Sequence, residues 1–186
     1  MNELPEHLGG HLNKVHTDRG SLLYLKQKYN IESMLDIGCG PGDMVQIAND
    51  RGIRTWGIDG DFTIKYPASI SPNIIIHDYC DGPSSITREF DLCWSVEFLE
   101  HVEEKYLDNY MKDFSRCKYV ICTAAPPGQK GHHHVNCRDL SYWKEVFERY
   151  GFEYDEEETI EIKKQSNMHK PFIARNGMFY RKKDNE

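Results

Sequence analysis

Four groups of residues have types and spacings that chemistry uses. The first is LDIGCGPGDM, residues 35–44, where Gly38, Gly40 and Gly42 alternate after Asp36. Glycine costs stability inside an element, so this run marks a strand-to-helix handover where something needs bare backbone. The second is a pair of aspartates that close apolar runs: Asp59 ends RTWGID and is followed by Gly60, and Asp78 ends NIIIHD and is followed by Tyr79. The third is SVEFLEH, which carries Ser95, Glu97, Glu100 and His101. The fourth is histidine-rich: His132, His133 and His134 fall in one loop, and His11 and His16 lie near the start.

A dinucleotide is the first ligand to test against the glycines. Its fingerprint is GxGxxG, and counting from Gly38 the last glycine is replaced by Asp43. An acid at the opening of the helix would repel a pyrophosphate where a helix N-terminus normally attracts one. A phosphate-binding loop is excluded because no GK[ST] follows. An adenosine with a cationic sulfonium tail fits better. The glycines admit its amino acid part, Asp59 accepts from both ribose hydroxyls, Asp78 accepts from the adenine amino group, and Tyr79 offers a ring face.

The elements that must hold these residues alternate. Thr17 or Asp18 caps a helix running to about Tyr29, with Leu22, Leu25 and Tyr29 on one face. SMLDIG (33–38) is a buried strand, Asp43 opens the next helix and Gly52 ends it. RTWGID (54–59), NIIIHD (73–78), FDLCWSV (90–96) and KYVICTAAP (118–126) read as four more strands. Helices are marked by Leu107, Tyr110, Met111 and Phe114, and by Trp143, Val146, Phe147 and Tyr150, with Gly151 closing the second. FEYDEEETIEI and GMFYRKK read as two last strands in an antiparallel pair, with the acidic run EYDEEE as a solvated strand face. Trp56, Trp94 and Trp143 are expected in or near the core. This alternation predicts a three-layer α/β fold with a mostly parallel sheet, whose ligands sit beyond the carboxyl ends of the strands. Residues 1–17 are expected to be an irregular arm and 18–186 a single domain.

Composition narrows the partners. The chain has 186 residues and a formal net charge of −7, which disfavours general nucleic-acid binding. No apolar run is long enough to span a membrane, and the start has no secretory-type apolar core. Six cysteines occur without a CxxC pair, and Cys93 and Cys122 sit in apolar strands, so reduced thiols and a cytoplasmic location are expected. Oligomeric state is not legible.

LDIGCGPG, GIDGD, HDY and FDLCWSVEFLEHV together resemble the class I S-adenosylmethionine-dependent methyltransferases, from about Ser33 to Phe152 and more weakly to the end. The resemblance implies a Rossmann-like seven-stranded sheet with an antiparallel last strand, S-adenosylmethionine as cofactor and S-adenosylhomocysteine as product. It further implies that Asp36, Gly38, Gly40 and Gly42 line the methionine end, that Asp59 with Gly60 holds the ribose, that Asp78 and Tyr79 hold the adenine, and that Ser95 to Glu97 lie beside the transferred methyl.

Methyl transfer to oxygen or nitrogen calls for a general base, most often histidine. The arm and the loops after the fourth and fifth strands converge on one edge of such a fold, which puts His134 and His101 first as candidates, with Glu97 beside them. Glu97, Glu100 and His101 form ExxEH, and a later histidine would complete a two-glutamate, two-histidine set like that of small-RNA 2′-O-methyltransferases. Val96, Phe98 and Leu99 point instead to a strand end packed on the core, so no metal is assigned. The arm, segment 60–72 and loop 126–137 are the only lengths free to wall an acceptor pocket, which favours a small-molecule or sugar-like acceptor. The rivals are a metal-assisted RNA 2′-O-methyltransferase, a non-catalytic cofactor-binding module, and an NAD-type oxidoreductase.

Overall fold

The computed structural model describes residues 3–11, 14 and 16–184. Seven strands form one sheet: β1 (Ser33–Ile37), β2 (Arg54–Asp59), β3 (Ile74–Ile76), β4 (Phe90–Ser95), β5 (Cys117–Thr123), β6 (Phe152–Tyr154) and β7 (Gly177–Lys182). Their order is β3-β2-β1-β4-β5-β7-β6. β7 runs antiparallel to both neighbours, and the other contacts are parallel, with Asp36 beside Gly57 and Trp94. The order reverses between β1 and β4, which is where ligands bind in such sheets.

Six helices cover the faces: α1 (Arg19–Tyr29), α2 (Asp43–Asp50), α3 (Leu107–Phe114), α4 (Leu140–Arg149), α5 (Glu156–Gln165) and α6 (Phe172–Asn176). Side chains alternate across each strand, so one face of the sheet receives Met34, Leu92, Trp94, Ile121 and Phe179, packed under α1, α2, α5 and α6. The opposite face receives Leu35, Cys93, Val120, Cys122 and Tyr180, packed under α3 and α4. Trp94 and Trp143 are buried, Trp56 is half-buried, and Cys93 and Cys122 are buried free thiols, as their apolar surroundings imply.

The predicted starts of α1 and α2 hold. Asp18, rather than Thr17, caps α1 by accepting from the Ser21 N–H at 2.9 Å. Asp139 does the same for α4 through the Tyr142 N–H at 3.0 Å. Among the described residues of the arm, 3–11 form turns without helix or strand; positions 1, 2, 12, 13 and 15 of that predicted arm lie outside the described residues.

Two predicted strands need correction. FEYDEEETIEI is strand only over Phe152–Tyr154; Asp155 then caps α5, accepting from the Glu158 N–H at 2.9 Å. Glu156, Glu157 and Glu158 occupy the first turn and Lys163 and Lys164 the last, the charge order that a helix dipole favours. The acidic run is therefore a helix start, and Glu158 is buried and ion-paired with Lys28. NIIIHD is strand only over Ile74–Ile76, because Ser71–Asn73 forms a short 3₁₀ turn.

Candidate active site

The carboxyl ends of β1, β2 and β4 open into a cavity of about 590 Å³, within the range of small-ligand sites. Asp36, Gly38, Gly40, Asp59, Gly60, Asp78 and Tyr79 line it, together with Glu97, His101 and His134. Gly42 and Ser95 are not among its lining residues. Gly42 caps α2 with a left-handed φ of 88°, where an added Cβ would fall 2.6 Å from Ile70 Cδ1. Ser95 is buried and donates to the Ile37 carbonyl at 3.0 Å, locking the end of β4 to that of β1.

At the cofactor end the loop after β1 is pinned by β2. The Gly40 N–H donates to Asp59 at 2.7 Å, and the Asp61 N–H donates to the other Asp59 oxygen at 2.9 Å. Burial pushes the Asp59 carboxyl up, against the pull of these N–H donors, and burial with the charge of Asp59 pushes Asp36 well above the carboxylate range. Gly38 has φ 74°, and a Cβ there would fall 2.8 Å from the Phe98 ring. Asp78 accepts from the Cys80 N–H at 2.8 Å. Tyr79 is buried to a greater depth than a freely offered ring face: its hydroxyl donates to Asp113 at 2.7 Å, and its ring meets Phe98 edge-on at 5.8 Å.

The arm closes over this end. His7 Nε2 lies 2.6 Å from Asp78, and His11 Nε2 lies 3.0 Å from Asp61. Leu8 packs on Gly60 so closely that a Cβ there would fall 2.5 Å from its Cδ2. Three carboxylates, glycine backbone and no lysine-bearing phosphate loop suit a ligand of hydroxyls, an amine and a cation.

The second end is built by two loops. The loop after β4 carries Glu97 in a left-handed conformation, φ 57°, with its N–H donating to Thr123 Oγ1 at 2.8 Å. The Glu100 carbonyl accepts from the N–H groups of Val135 and Asn136 at 2.9 and 3.0 Å, which ties the histidine loop to it. Glu100 is fully buried, and no well-formed hydrogen bond reaches its carboxyl oxygens; the backbone N–H groups of Glu100 itself and of Ala125 and the Glu97 carboxyl are the polar groups that act on it. Burial, then the neighbouring Glu97, push its carboxyl well above the usual range. The His101 and His134 rings meet at 5.0 Å, and ligand-type atoms of Glu100, His101 and His134 all lie within 4.8 Å of one another. His134 Nδ1 faces the Gln129 carbonyl at 3.0 Å, leaving Nε2 as the free nitrogen. Burial and then the His134 charge pull His101 down to about 4, so its ring is neutral near pH 7.

The expected convergence of arm and loops is therefore present. Of segment 60–72 only Gly60 lines the cavity, whereas Lys170 and Phe172 line it without having been anticipated. No apolar period or turn motif distinguishes them in the sequence; chain reversal between α5 and β7 alone brings them there.

A family model described as "Methyltransferase domain" matches residues 35–118. Among solved structures, a TehB-like S-adenosylmethionine-dependent methyltransferase from Corynebacterium glutamicum is similar at 19% identity and TM-score 0.62, with 88% of each chain covered. The methyltransferase domain of bacterial CtHen1-C is similar at 15% identity and TM-score 0.59, with 88% of this chain and 96% of that one covered. Magnesium protoporphyrin IX methyltransferase from Synechocystis, solved with the cofactor bound, is similar at 14% identity and TM-score 0.54, with 72% of this chain covered, and the match spans 66% of the length of that enzyme. No curated protein matches the chain. Among the described residues no helix is long and apolar enough to cross a membrane. Family match, strand order and glycine-aspartate cavity agree: residues 35–118 match a methyltransferase domain, and the chain has the fold of the class I S-adenosylmethionine-dependent methyltransferases.

Proposed function

We propose that this methyltransferase acts on a hydroxyl of a small, sugar-like acceptor, and that Glu100, His101 and His134, with Glu97 beside them, would hold a divalent cation, which would supply Lewis acidity toward that hydroxyl. The cofactor supplies an electrophilic methyl on a sulfonium, so the protein's task is to align the nucleophile and take its proton. Asp36, Gly38 and Gly40 fit the amino acid end of the cofactor, Asp59 with Gly60 the ribose, and Asp78 with the Tyr79 edge the adenine.

The observation that carries the cation is Glu100. A buried carboxyl group without a well-formed donor costs about 1–3 kcal/mol, and here only the Glu100 and Ala125 backbone N–H groups, the Glu97 carboxyl and a retained proton offset part of it. A cation offsets it. Two carboxylates and two imidazoles suit manganese, iron, cobalt or zinc better than calcium, and the His134–Gln129 contact orients that imidazole as an outer hydrogen bond does for a ligand. A base made of His101 alone is weaker support, because its low proton affinity gives little driving force near pH 7. Placing the hydroxyl on an RNA ribose would use the same cluster, but a net charge of −7 opposes a polyanion.

Manganese chloride titrated calorimetrically into chelator-treated protein checks the cation. One site, lost in both Glu100→Gln and His134→Ala, is the expected result. Full turnover in excess EDTA would remove the cation and leave a histidine base. Turnover is read with a panel of hydroxylated small molecules and a short oligoribonucleotide; exclusive methylation of the latter would overturn the acceptor assignment.

A further inference from the structure

The cavity is lined on one side by two lysines and a histidine that the cofactor does not explain. Lys14 and His16 from the arm and Lys170 from the turn before α6 line the same cavity as Glu97 and His134. The His16 ring packs edge-on against Phe172 at 4.8 Å, and Lys170 Nζ lies over that same ring at 5.8 Å. Among the described residues neither Lys14 nor Lys170 joins a salt bridge. Burial, and then the charges of Lys170, Lys14 and His169, hold His16 below its ordinary value. The Lys170 ammonium acts on the Glu97 carboxyl, which lines the same cavity.

Gathering unpaired cations costs electrostatic energy, and it occurs here in a chain with 30 acidic and 23 basic residues. Two ammonium groups beside an imidazole form a local anion-attracting corner in a cleft whose lining otherwise carries Asp36, Asp59, Asp78, Glu97 and Glu103. Lysine ammonium groups take phosphate as point charges. Because the cluster is confined to one side of the cavity and the rest of the chain is acidic, it suits a compact anion and not a polyanion.

We propose that Lys14, His16 and Lys170 bind a phosphate carried by the acceptor, so that the substrate is a small phosphorylated, hydroxylated compound whose hydroxyl faces Glu97 and His134. This deepens the methyl-transfer reading and rests on it. Phe172 forms a flat apolar side to the phosphate site, and the distance between the cluster and Glu97 sets the size of the acceptor.

The experiment uses the full chain saturated with S-adenosylhomocysteine, in chelator, so that neither turnover nor the cation enters. Inorganic phosphate, a hexose 6-phosphate and the unphosphorylated hexose are titrated calorimetrically. The sugar phosphate is expected to bind at least about tenfold more tightly than the sugar, a difference of about 1.4 kcal/mol. Lys170→Glu abolishes the preference and Lys170→Arg keeps it, with S-adenosylhomocysteine affinity unchanged in both. Equal binding of the two sugars with no competition by inorganic phosphate, or a preference that survives both Lys170→Glu and Lys14→Glu, overturns the proposal. An oligoribonucleotide that binds more tightly than the sugar phosphate through the same lysines overturns the small-acceptor form of it. S-adenosylhomocysteine affinity reports separately on the methyltransferase assignment, so failure of the phosphate site and failure of that assignment are told apart.

Discussion

The Gly40 N–H donates to the Asp59 carboxylate at 2.7 Å, so the end of β2 holds in place the glycine turn that follows β1. Asp59 thus shapes the loop, and the proposed ribose contact would use its remaining lone pairs. Asp59→Ala is expected to weaken S-adenosylhomocysteine binding by about 1.5–3 kcal/mol, the worth of charge-assisted hydrogen bonds. Asp59→Asn, which can still accept from Gly40, falls between. Calorimetry reads both, and unchanged affinity in Asp59→Ala would remove the ribose assignment.

His7 and His11 anchor the arm to Asp78 and Asp61, across the rim of the same end of the cavity. His7→Ala is expected to speed S-adenosylhomocysteine release about three- to tenfold, since changes at one interface act mostly on dissociation. The melting temperature stays the same because the arm adds little core. Stopped-flow displacement measures the rate; slower release would show instead that His7 competes with the ligand for Asp78.

Glu100 makes stability and function pull apart. Glu100→Leu is expected to stabilise the cation-free protein by about 1–3 kcal/mol, by removing a buried acceptor without a well-formed donor. The same change abolishes the rise in melting temperature that manganese gives the unsubstituted chain. Because burial and Glu97 raise the Glu100 carboxyl, the cation must displace a proton, so its affinity increases with pH. Thermal melts with and without manganese at two pH values test all three.

Asp155 caps α5 and lies 2.6 Å from the Arg181 guanidinium. Burial pulls its carboxyl up, but the Glu158 N–H and Arg181 outweigh this and hold it below the usual range. A carboxyl depressed in the folded state stabilises above its unfolded value, and the benefit disappears as pH falls through the folded value. Asp155→Ala is expected to cost about 1–2 kcal/mol at pH 7 as a lost cap. The difference between the proteins shrinks below about pH 4, near the ordinary aspartate value. Urea unfolding across that range measures it.

The parts of the fold legible in the sequence are those where local chemistry and tertiary packing agree. LDIGCGPG announces β1, the turn and α2 because glycines in left-handed conformations cannot be replaced there without strain, as Gly38 and Gly42 show. Asp155 misled because alternation over a short window fits a strand, while an aspartate followed by glutamates fits a helix start equally well; the pairing of buried Glu158 with Lys28 decides between them, and it joins residues far apart in the chain. The histidine loop was visible as a candidate, but its tie to the Glu100 carbonyl is backbone hydrogen bonding that no spacing reveals. Ser95 fits its motif, yet its hydroxyl serves β1, since a buried hydroxyl takes the nearest carbonyl. Lys170 and Phe172 reach the cavity by topology alone.

Glu97 holds a left-handed backbone conformation that costs a side-chain-bearing residue about 1–2 kcal/mol and costs glycine almost nothing. A screen that rewards heat resistance alone would therefore drift toward glycine at 97 as readily as toward leucine at 100. Directed evolution of a hardier version needs turnover as a second selection, or it will return a sturdy, silent scaffold.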